Sequence, residues 1–452
     1  MKRRPILLGL GSSLGDRAAT LRRTLRTLAA DGPGELLAWS RVYESEALLP
    51  EGAPRSWDRP YLNLAAVIVT TAEPVEVLHA CKEMERALGR APAERWAPRA
   101  IDIDLLADQA VAGDDGELRL PHPGLATRPF ALLPAADLAP RWVLETPDGR
   151  ATLADLARPW RIPGAAPFDT RPVAVPMTDL VGVLNLTPDS FSDGGKWRGA
   201  GAVAHAVELV GAGASVIDLG AESTRPGART VPEDEEWARL EPVLAALRQR
   251  WPRGEGVALS VDTRHPTTAE RALAAGADWL NDVTGFADDR MVAVAARHGC
   301  DLVAMHSLEV PPGRLALDPG RDPIDQLLDW GEATLRRLEA AGIARRRIVF
   351  DPGIGFGKTP EQTRVLIERA DELRTLGVRV LIGHSRKSVL AKWLPERGAE
   401  AADRDPETHA VSQQLASRSV DYLRVHDVGG SALALAVGGL LNDRPAWTGR
   451  DC

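Results

Sequence analysis

The sequence predicts two domains in tandem: an α+β domain of ferredoxin-like type with a mostly antiparallel sheet, then an α/β domain closed as a (β/α)8 TIM barrel. Three observations lead there. The chain of 452 residues is about three times an ordinary domain. Pro159, Pro163, Gly164, Pro167, Pro172 and Pro176 crowd a stretch without a clean period of 2 or 3.6. The pattern also changes across that stretch, from strands with few helices to a regular alternation of short apolar strands and amphipathic helices. The boundaries are therefore 1–157 for the first domain, 158–177 for a linker and 178–452 for the barrel.

In the first domain ILLGLG (6–11), LAWSRVYES (37–45), YLNLAAVIVT (61–70) and AIDIDLL (100–106) read as strands, and 16–30 and 74–88 as helices. The second helix starts at Pro74 and carries Val75, Leu78, Cys81 and Met84 near a spacing of three, which predicts one apolar face. No helix separates 37–45 from 61–70, so that pair is expected to be antiparallel.

In the second domain the expected strands are LVGVLN (180–185), SVIDLG (215–220), VALSVD (257–262), DWLND (278–282), DLVAMH (301–306), RIVFD (347–351), VRVLIG (378–383) and DYLRVHD (421–427). Eight strands over this length match one barrel. Nearly every strand ends on polar groups: Asn185, Glu222 with Thr224, Asp262, Asn281, His306, Asp351, Ser385 with Lys387, and His426. Polar residues commonly end strands, so one case carries little. Eight in succession point to a reactive mouth at the carboxyl ends of the barrel strands.

Composition narrows the function. With 55 basic and 63 acidic side chains the net charge is −8, so a broadly basic nucleic-acid binder is not expected. The three cysteines, Cys81, Cys300 and Cys452, are far apart and form no CxxC pair, which suits reduced thiols and a cytoplasmic location. No apolar run reaches the roughly 18 residues of a membrane span. MKRRPILLGLGSSLGD reads as a first strand and not as a signal peptide, because Gly and Asp interrupt its apolar run.

Two glycine-rich segments are near misses. DPGIGFGKT (351–359) leaves three residues between Gly353 and Gly357, where a nucleotide phosphate loop needs four. GLGSSLGD is one residue too long for the dinucleotide fingerprint. The nine histidines show no HExxH and no Cys/His cluster, so zinc is not expected.

In GRAPAERWAPRAIDIDLL (89–106), Asp102 and Asp104 alternate on a strand and share a face, a pattern able to hold magnesium. Arg90, Arg95 and Arg99 precede them on a Pro-interrupted loop and could grip a polyphosphate. Taken alone, such an Asp pair is more often a solvated strand face. Tyr61 and Asn63, with His122, Arg128 and Phe130, add rings for a planar ligand and further polar groups.

Through GSSLGD, YLNLAAVIV, MERALGR, ERWAPRAIDIDLL and LPHP, residues 6–150 resemble 6-hydroxymethyl-7,8-dihydropterin pyrophosphokinase. The resemblance implies that Asp102 and Asp104 bind two Mg2+ ions bridging ATP phosphates, with ATP as co-substrate. It also implies that Tyr61 and Phe130 sandwich the pterin and that Asn63 bonds its edge. Arg90, Arg95, Trp96 and Arg99 would form a mobile lid, and His122 and Arg128 would meet the nucleotide. Ser13 stands where the family usually has Asn, and Pro92 where some members have a second lid Arg.

At the barrel mouth Asp262, Asn281 and Asp351 could bond the edge of a heterocycle, and Lys387 could donate to its carbonyl or ring nitrogen. Arg424 and His426, two apart on the last strand, would meet an anion, and Asn185 could offer an oxygen to a metal. The loops at 185–197 and 222–230 have lid-like composition. GVLNLTPDSFSDGG, GAESTRPGA, SVDT, NDV, DPGIGFGK, SRKS and RVHDV make residues 177–442 resemble dihydropteroate synthase.

That resemblance implies a pterin site of Asp262, Asn281, Asp351 and Lys387 with Met305 and Phe356 near the ring. Asn185, Arg424 and His426 would hold magnesium and pyrophosphate, while Asp189, Phe191, Thr224, Arg225, Pro226 and Ser388 would surround p-aminobenzoate. It implies small-molecule substrates and a homodimer through the barrel. Two other readings compete. Corrinoid-linked methyl transfer uses a similar barrel but leaves PDSF, STRPG and SRK unexplained. A degenerate pterin-binding scaffold is disfavoured by the intact Asp102, Asp104, Thr224, Arg225 and Lys387.

Overall fold

The computed structural model describes residues 3–94, 96–114, 116–146, 149–161, 170–173, 177–186, 198–223, 230–254, 256–393 and 404–441. The chain divides into two compact units, Met1–Val175 with Gly439–Cys452, and Pro176–Gly438.

The first unit contains β1 (Arg4–Ser12), α1 (Arg17–Asp31), β2 (Glu35–Trp39), β3 (Val42–Ser45), β4 (Tyr61–Thr70), α2 (Pro74–Ala87), β5 (Asp102–Asp108) and α3 (Pro129–Leu138). Its main sheet runs Thr170–Val173, β3, β4, β1, β5, with β2 also on β4, and every pairing is antiparallel. Asp16 caps α1 by accepting the Ala19 N–H at 2.9 Å, and α2 opens with Pro74 inside a Glu73/Glu76 capping box.

Period-2 alternation splits the sheet faces. Leu7, Ala65 and Val67 pack with Leu132 and Leu133 of α3. The buried alternates Ile6, Leu8, Ala66 and Ile68 face the other way, where α1 and α2 contact β1, β4 and β5.

Three expectations are corrected. The strand expected over 37–45 is interrupted at Ser40, whose hydroxyl accepts the Ala65 N–H at 3.0 Å and donates to the Arg41 carbonyl at 2.7 Å. A side chain thus replaces part of the ladder. The buried stripe of α2 is Val77, Cys81, Met84 and Glu85, not one beginning at Val75, because a three-residue spacing drifts off a 3.6-residue period. Within the stretch expected as linker, Trp160 packs on the core of the first unit and Thr170–Val173 pairs with β3.

The second unit is a closed parallel barrel of eight strands: Asp179–Asn185, Ala214–Gly220, Ala258–Asp262, Trp279–Asp282, Asp301–Met305, Ile348–Asp351, Arg379–Ile382 and Tyr422–Val425. Its interior floor is one apolar layer, Val181, Val216, Ala258, Trp279, Val303, Val349, Leu381 and Tyr422. Two residues further along the strands the same inward face carries Asp218, Ser260, Asn281, Met305, Asp351, Gly383 and Arg424. The register aligns Asn185 with Gly220, Gly220 with Asp262, and Asp262 with Asn281. The polar mouth therefore follows from strand parity above a hydrophobic floor.

Among the described residues no helix is long and apolar enough to cross a membrane. Cys81 and Cys300 are buried and free, and burial pushes their thiols up to about 12 and about 11.

Candidate active sites

On the α3 face of the first sheet, Gly9 lies opposite Asp104 and Ala65, and Gly11 opposite Asp102 and Asn63. A methyl on Gly9 would come 3.1 Å from Leu106 Cδ1, and one on Gly11 3.2 Å from Asn63 Oδ1. The two glycines thus leave a floor without side chains between carboxylates and amide. The cavity above it has about 290 Å³ and is lined by Tyr61, Asn63, Trp96, Arg99, Asp102, Asp104, His122, Arg128 and Phe130. Arg90 joins through a 2.6 Å bond to Asp102. Arg95 lies outside the described residues.

Asp102 also accepts from Arg99 at 2.8 Å, and Lys82 lies 3.7 Å away. Burial alone would raise its carboxyl, but Arg90, Lys82 and Arg99 outweigh that and hold it lowered. For Asp104, burial and the adjacent Asp102 charge push the carboxyl up to about 6. A carboxylate short of positive charge, beside a second one on the same face, is a donor set that fits a divalent cation. His122 Nδ1 accepts the Gly124 N–H at 3.0 Å, while burial and Arg128 lower its pKa. With Nδ1 accepting, the ring's N–H sits on Nε2. The Arg128 guanidinium lies 5.7 Å from the Trp96 ring centroid.

Glu85 is a further member of this site, to which no sequence motif assigns a role. Its side chain is 1% exposed, accepts the Ile103 N–H at 2.6 Å and Lys82 at 2.8 Å, and also pairs with Arg90. Its place four residues after Cys81 on the apolar stripe was the available signal. Ser13 accepts the Arg99 N–H at 3.0 Å, and its own N–H donates to the Arg99 carbonyl at 3.0 Å, so serine supplies a clip at the root of Arg99. Ser13→Ala is expected to cost about 0.5–1.5 kcal/mol of stability and to raise the KM for ATP several-fold, measured by thermal unfolding and AMP release. An unchanged KM would show that the clip does not serve Arg99.

In the barrel, Asp218 organises the layer below the mouth. It accepts from Asn281 at 3.0 Å and Arg424 at 2.6 Å, and from Ser260. Arg424 also donates to Asp262 at 2.8 Å. No motif marks Asp218 inside SVIDLG, although a charge on the inward parity of a barrel strand is itself a signal. Met305 and Phe356 share one apolar cluster with Val283, and Lys387 Nζ lies 4.6 Å from the Phe356 ring centroid. A methyl on Gly220 would lie 3.8 Å from Asp262 Oδ2 and 3.9 Å from Asn185 Oδ1. His426 Nδ1 is 3.0 Å from Ser385 Oγ, just past the end of the last strand at Val425. Asp189, Phe191, Thr224, Arg225 and Pro226 lie outside the described residues.

The lysine of the rejected phosphate-loop reading is an internal strut. Lys358 Nζ donates to the His306 and Phe356 carbonyls, both at 3.0 Å, and lies 2.6 Å from His306 Nδ1. Burial pushes it down to about 7. Glu222, Glu236 and His265 place ligand-type atoms within 4.8 Å of one another. Arg264, however, binds both oxygens of Glu222 at 2.9 and 3.0 Å, and Glu236 accepts from Thr263 at 2.9 Å. Glu222 is thus held by an ion pair and Glu236 by a hydroxyl.

Burial pushes Asp262 up to about 7 against the pull of Arg424, and Asp351 up to about 6 against the Gly353 N–H and Lys387. Folded Asp351 keeps its proton up to about pH 6, whereas an unfolded Asp loses it near 4. The folded state therefore binds more protons in that window, and this contribution to stability is lost as pH rises through it. Asp351→Asn is expected to stabilise the barrel at pH 7–8 by on the order of 1–3 kcal/mol while weakening condensation. A lower melting temperature at pH 8 would contradict this.

Each unit thus gathers its own cluster of polar and aromatic side chains, paired carboxylates with arginines in the first and a linked Asp218, Asp262, Asn281 and Arg424 set in the second, which is the arrangement of a chain with two separate active sites. Known proteins divide in the same way. Residues 7–140 match the family of 7,8-dihydro-6-hydroxymethylpterin-pyrophosphokinase, and residues 181–426 match that of pterin binding enzymes. The chain is 38% identical over 457 residues to the folate synthesis bifunctional protein of Chlamydia trachomatis, covering 98% of each. It is 31% identical to the mitochondrial folate synthesis bifunctional protein of Pisum sativum, covering 94% of this chain and 86% of that one.

Solved dihydropteroate synthases also match. That of Anaplasma phagocytophilum, with bound 6-hydroxymethylpterin-monophosphate, is 36% identical at a TM-score of 0.53, covering 59% of this chain and 99% of that chain. That of Xanthomonas albilineans, with 4-aminobenzoic acid, is 35% identical at 0.54, covering 59% and 94%. The chain belongs to the folate synthesis bifunctional protein family. It is a bifunctional pyrophosphokinase and dihydropteroate synthase with ATP as co-substrate of its first step.

Proposed function

We propose that the cavity between Tyr61, Asn63, Phe130 and the Asp102/Asp104 pair is where the pterin gains its diphosphate, and that the barrel mouth is where it gives it up. The observation that carries this reading is that nine anticipated residues from separate stretches line one cavity. Tyr61 and Phe130 hold the pterin ring and Asn63 its edge. Arg90, Arg95, Trp96, Arg99, His122 and Arg128 hold ATP, so that the hydroxymethyl oxygen attacks the β-phosphorus and AMP leaves. This is catalysis by positioning and charge neutralisation, without a covalent intermediate.

Asp262, Asn281, Asp351 and Lys387 hold the pterin diphosphate in the barrel over Met305 and Phe356. Arg424 and His426 stabilise the departing pyrophosphate, and Thr224 and Arg225 flank the arylamine that captures the pterin cation. Asp102 and Asp104 in the first site, and Asn185 in the second, are the residues that would hold magnesium, which when bound neutralises phosphate charge. The first domain is proposed to run on through Val173, since Trp160 and Thr170–Val173 join its core and sheet, with the barrel domain beginning at 178.

The protein is proposed to work in the cytoplasm. Dimerisation through the barrel rests on the family likeness alone, and sedimentation at micromolar concentration checks it. Calorimetry with 6-hydroxymethylpterin, magnesium and a non-hydrolysable ATP analogue tests the two-site assignment. Two equivalents should bind per chain, with Asn63→Ala losing one and Asn281→Ala the other. A single equivalent lost equally in both variants would overturn it.

A further inference from the structure

Lys387 follows three residues that are all fastened elsewhere. The ring of His384 is buried, with Nε2 at 2.9 Å from Ser412 Oγ and 3.2 Å from the Thr408 carbonyl. Ser385 Oγ accepts the His426 N–H at 3.2 Å. Arg386 donates its N–H to Thr408 Oγ1 at 3.1 Å and its guanidinium to both oxygens of Asp405 at 2.7 Å. Its carbonyl accepts from Arg404 at 2.8 Å. Thr408, Ser412 and Asp405 all belong to the helix Asp405–Ser417.

Arg386 adopts φ +57°, a left-handed backbone that residues with side chains rarely take and that persists only where the surroundings impose it. That turn sends Lys387 across Gly355, where a methyl would lie 3.3 Å from Lys387 Cδ, and over the Phe356 ring. The bidentate Arg386–Asp405 pair is the strongest of these fastenings, since fork-to-carboxylate pairs combine charge with fixed geometry.

We propose that Asp405 is a positioning residue for the condensation: by pairing with Arg386 it holds the left-handed turn that aims Lys387 into the pterin pocket. The proposal rests on the assignment of Lys387 to that pocket. Its particular consequence is that Asp405 matters only while residue 386 carries a side chain, because glycine takes positive φ freely.

The test is steady-state condensation of supplied pterin pyrophosphate with p-aminobenzoate in the full chain, with AMP release as an internal control. Asp405→Asn should lower kcat/KM about 10- to 100-fold, by analogy with the loss of partners that orient metal ligands, chiefly through KM for the pterin ester. Arg386→Gly should stay within several-fold of wild type, and adding Asp405→Asn to it should cost less than about 3-fold. AMP release should not change in any of these.

An Asp405→Asn variant within 2-fold of wild type, or an equal loss from Asp405→Asn with and without Arg386→Gly, would overturn the proposal. If Asp405→Asn alone does not fold, the double variant decides: an active one upholds the proposal and an inactive one sinks it. Lys387→Ala separates the layers. Full condensation in that variant would refute the pocket assignment itself, whereas its loss beside an unaffected Asp405→Asn would refute the positioning role only.

Discussion

Asp102→Ala is expected to lower AMP formation by at least about 10²–10³-fold, the cost of removing one well-placed electrostatic group at a reacting phosphate. Condensation from supplied pterin pyrophosphate should remain within 2-fold of wild type. Asp102 anchors Arg90 at 2.6 Å and Arg99 at 2.8 Å, so its loss frees two guanidinium groups as well as a metal-binding oxygen. Asn at this position keeps an acceptor for those arginines but removes the charge, and it should recover little activity if charge dominates. Both reactions can be followed on one preparation, by nucleotide chromatography and by dihydropteroate formation. Equal loss of the two would show that the sites are not separate.

Lys387→Ala is expected to do the reverse, lowering condensation about 10²-fold and leaving AMP release intact. A hydrogen bond to a charged group is worth roughly 1.5–3 kcal/mol, and here a cation beside Phe356 and near Asp351 is removed with it. Without that cation the Asp351 carboxyl should hold its proton to still higher pH, so the pH dependence of residual condensation should move upward. An unshifted profile with normal turnover would take Lys387 out of the pocket.

Much of this was legible in the sequence because the signals are periodic. The eight barrel strands are legible to within a residue or two, since a barrel repeats one apolar run and one polar stop. Asp102 and Asp104 were found by period-2 alternation, and Tyr61, Asn63, His122, Arg128 and Phe130 by family motifs. Features that depend on tertiary neighbours were less legible. Ser40 breaks a strand only because Ala65 lies opposite, and Glu85 matters because the β5 backbone reaches it. Asp218 looks like any buried strand residue until Arg424, which lies 206 residues away, is placed beside it. The Thr170–Val173 strand was hidden by the prolines around it, since a short edge strand tolerates Pro172.

Recognition of one pterin twice by one chain, with a diphosphate added at the first site and released at the second, predicts a fixed order of products. Incubation of the purified protein with ATP, magnesium, 6-hydroxymethyl-7,8-dihydropterin and p-aminobenzoate, with AMP and dihydropteroate quantified separately over time, tests it most directly. AMP should appear first and dihydropteroate should follow in matching amount, with dihydropteroate absent when p-aminobenzoate is withheld. Dihydropteroate formed without AMP, or AMP formed without any dihydropteroate, would contradict it.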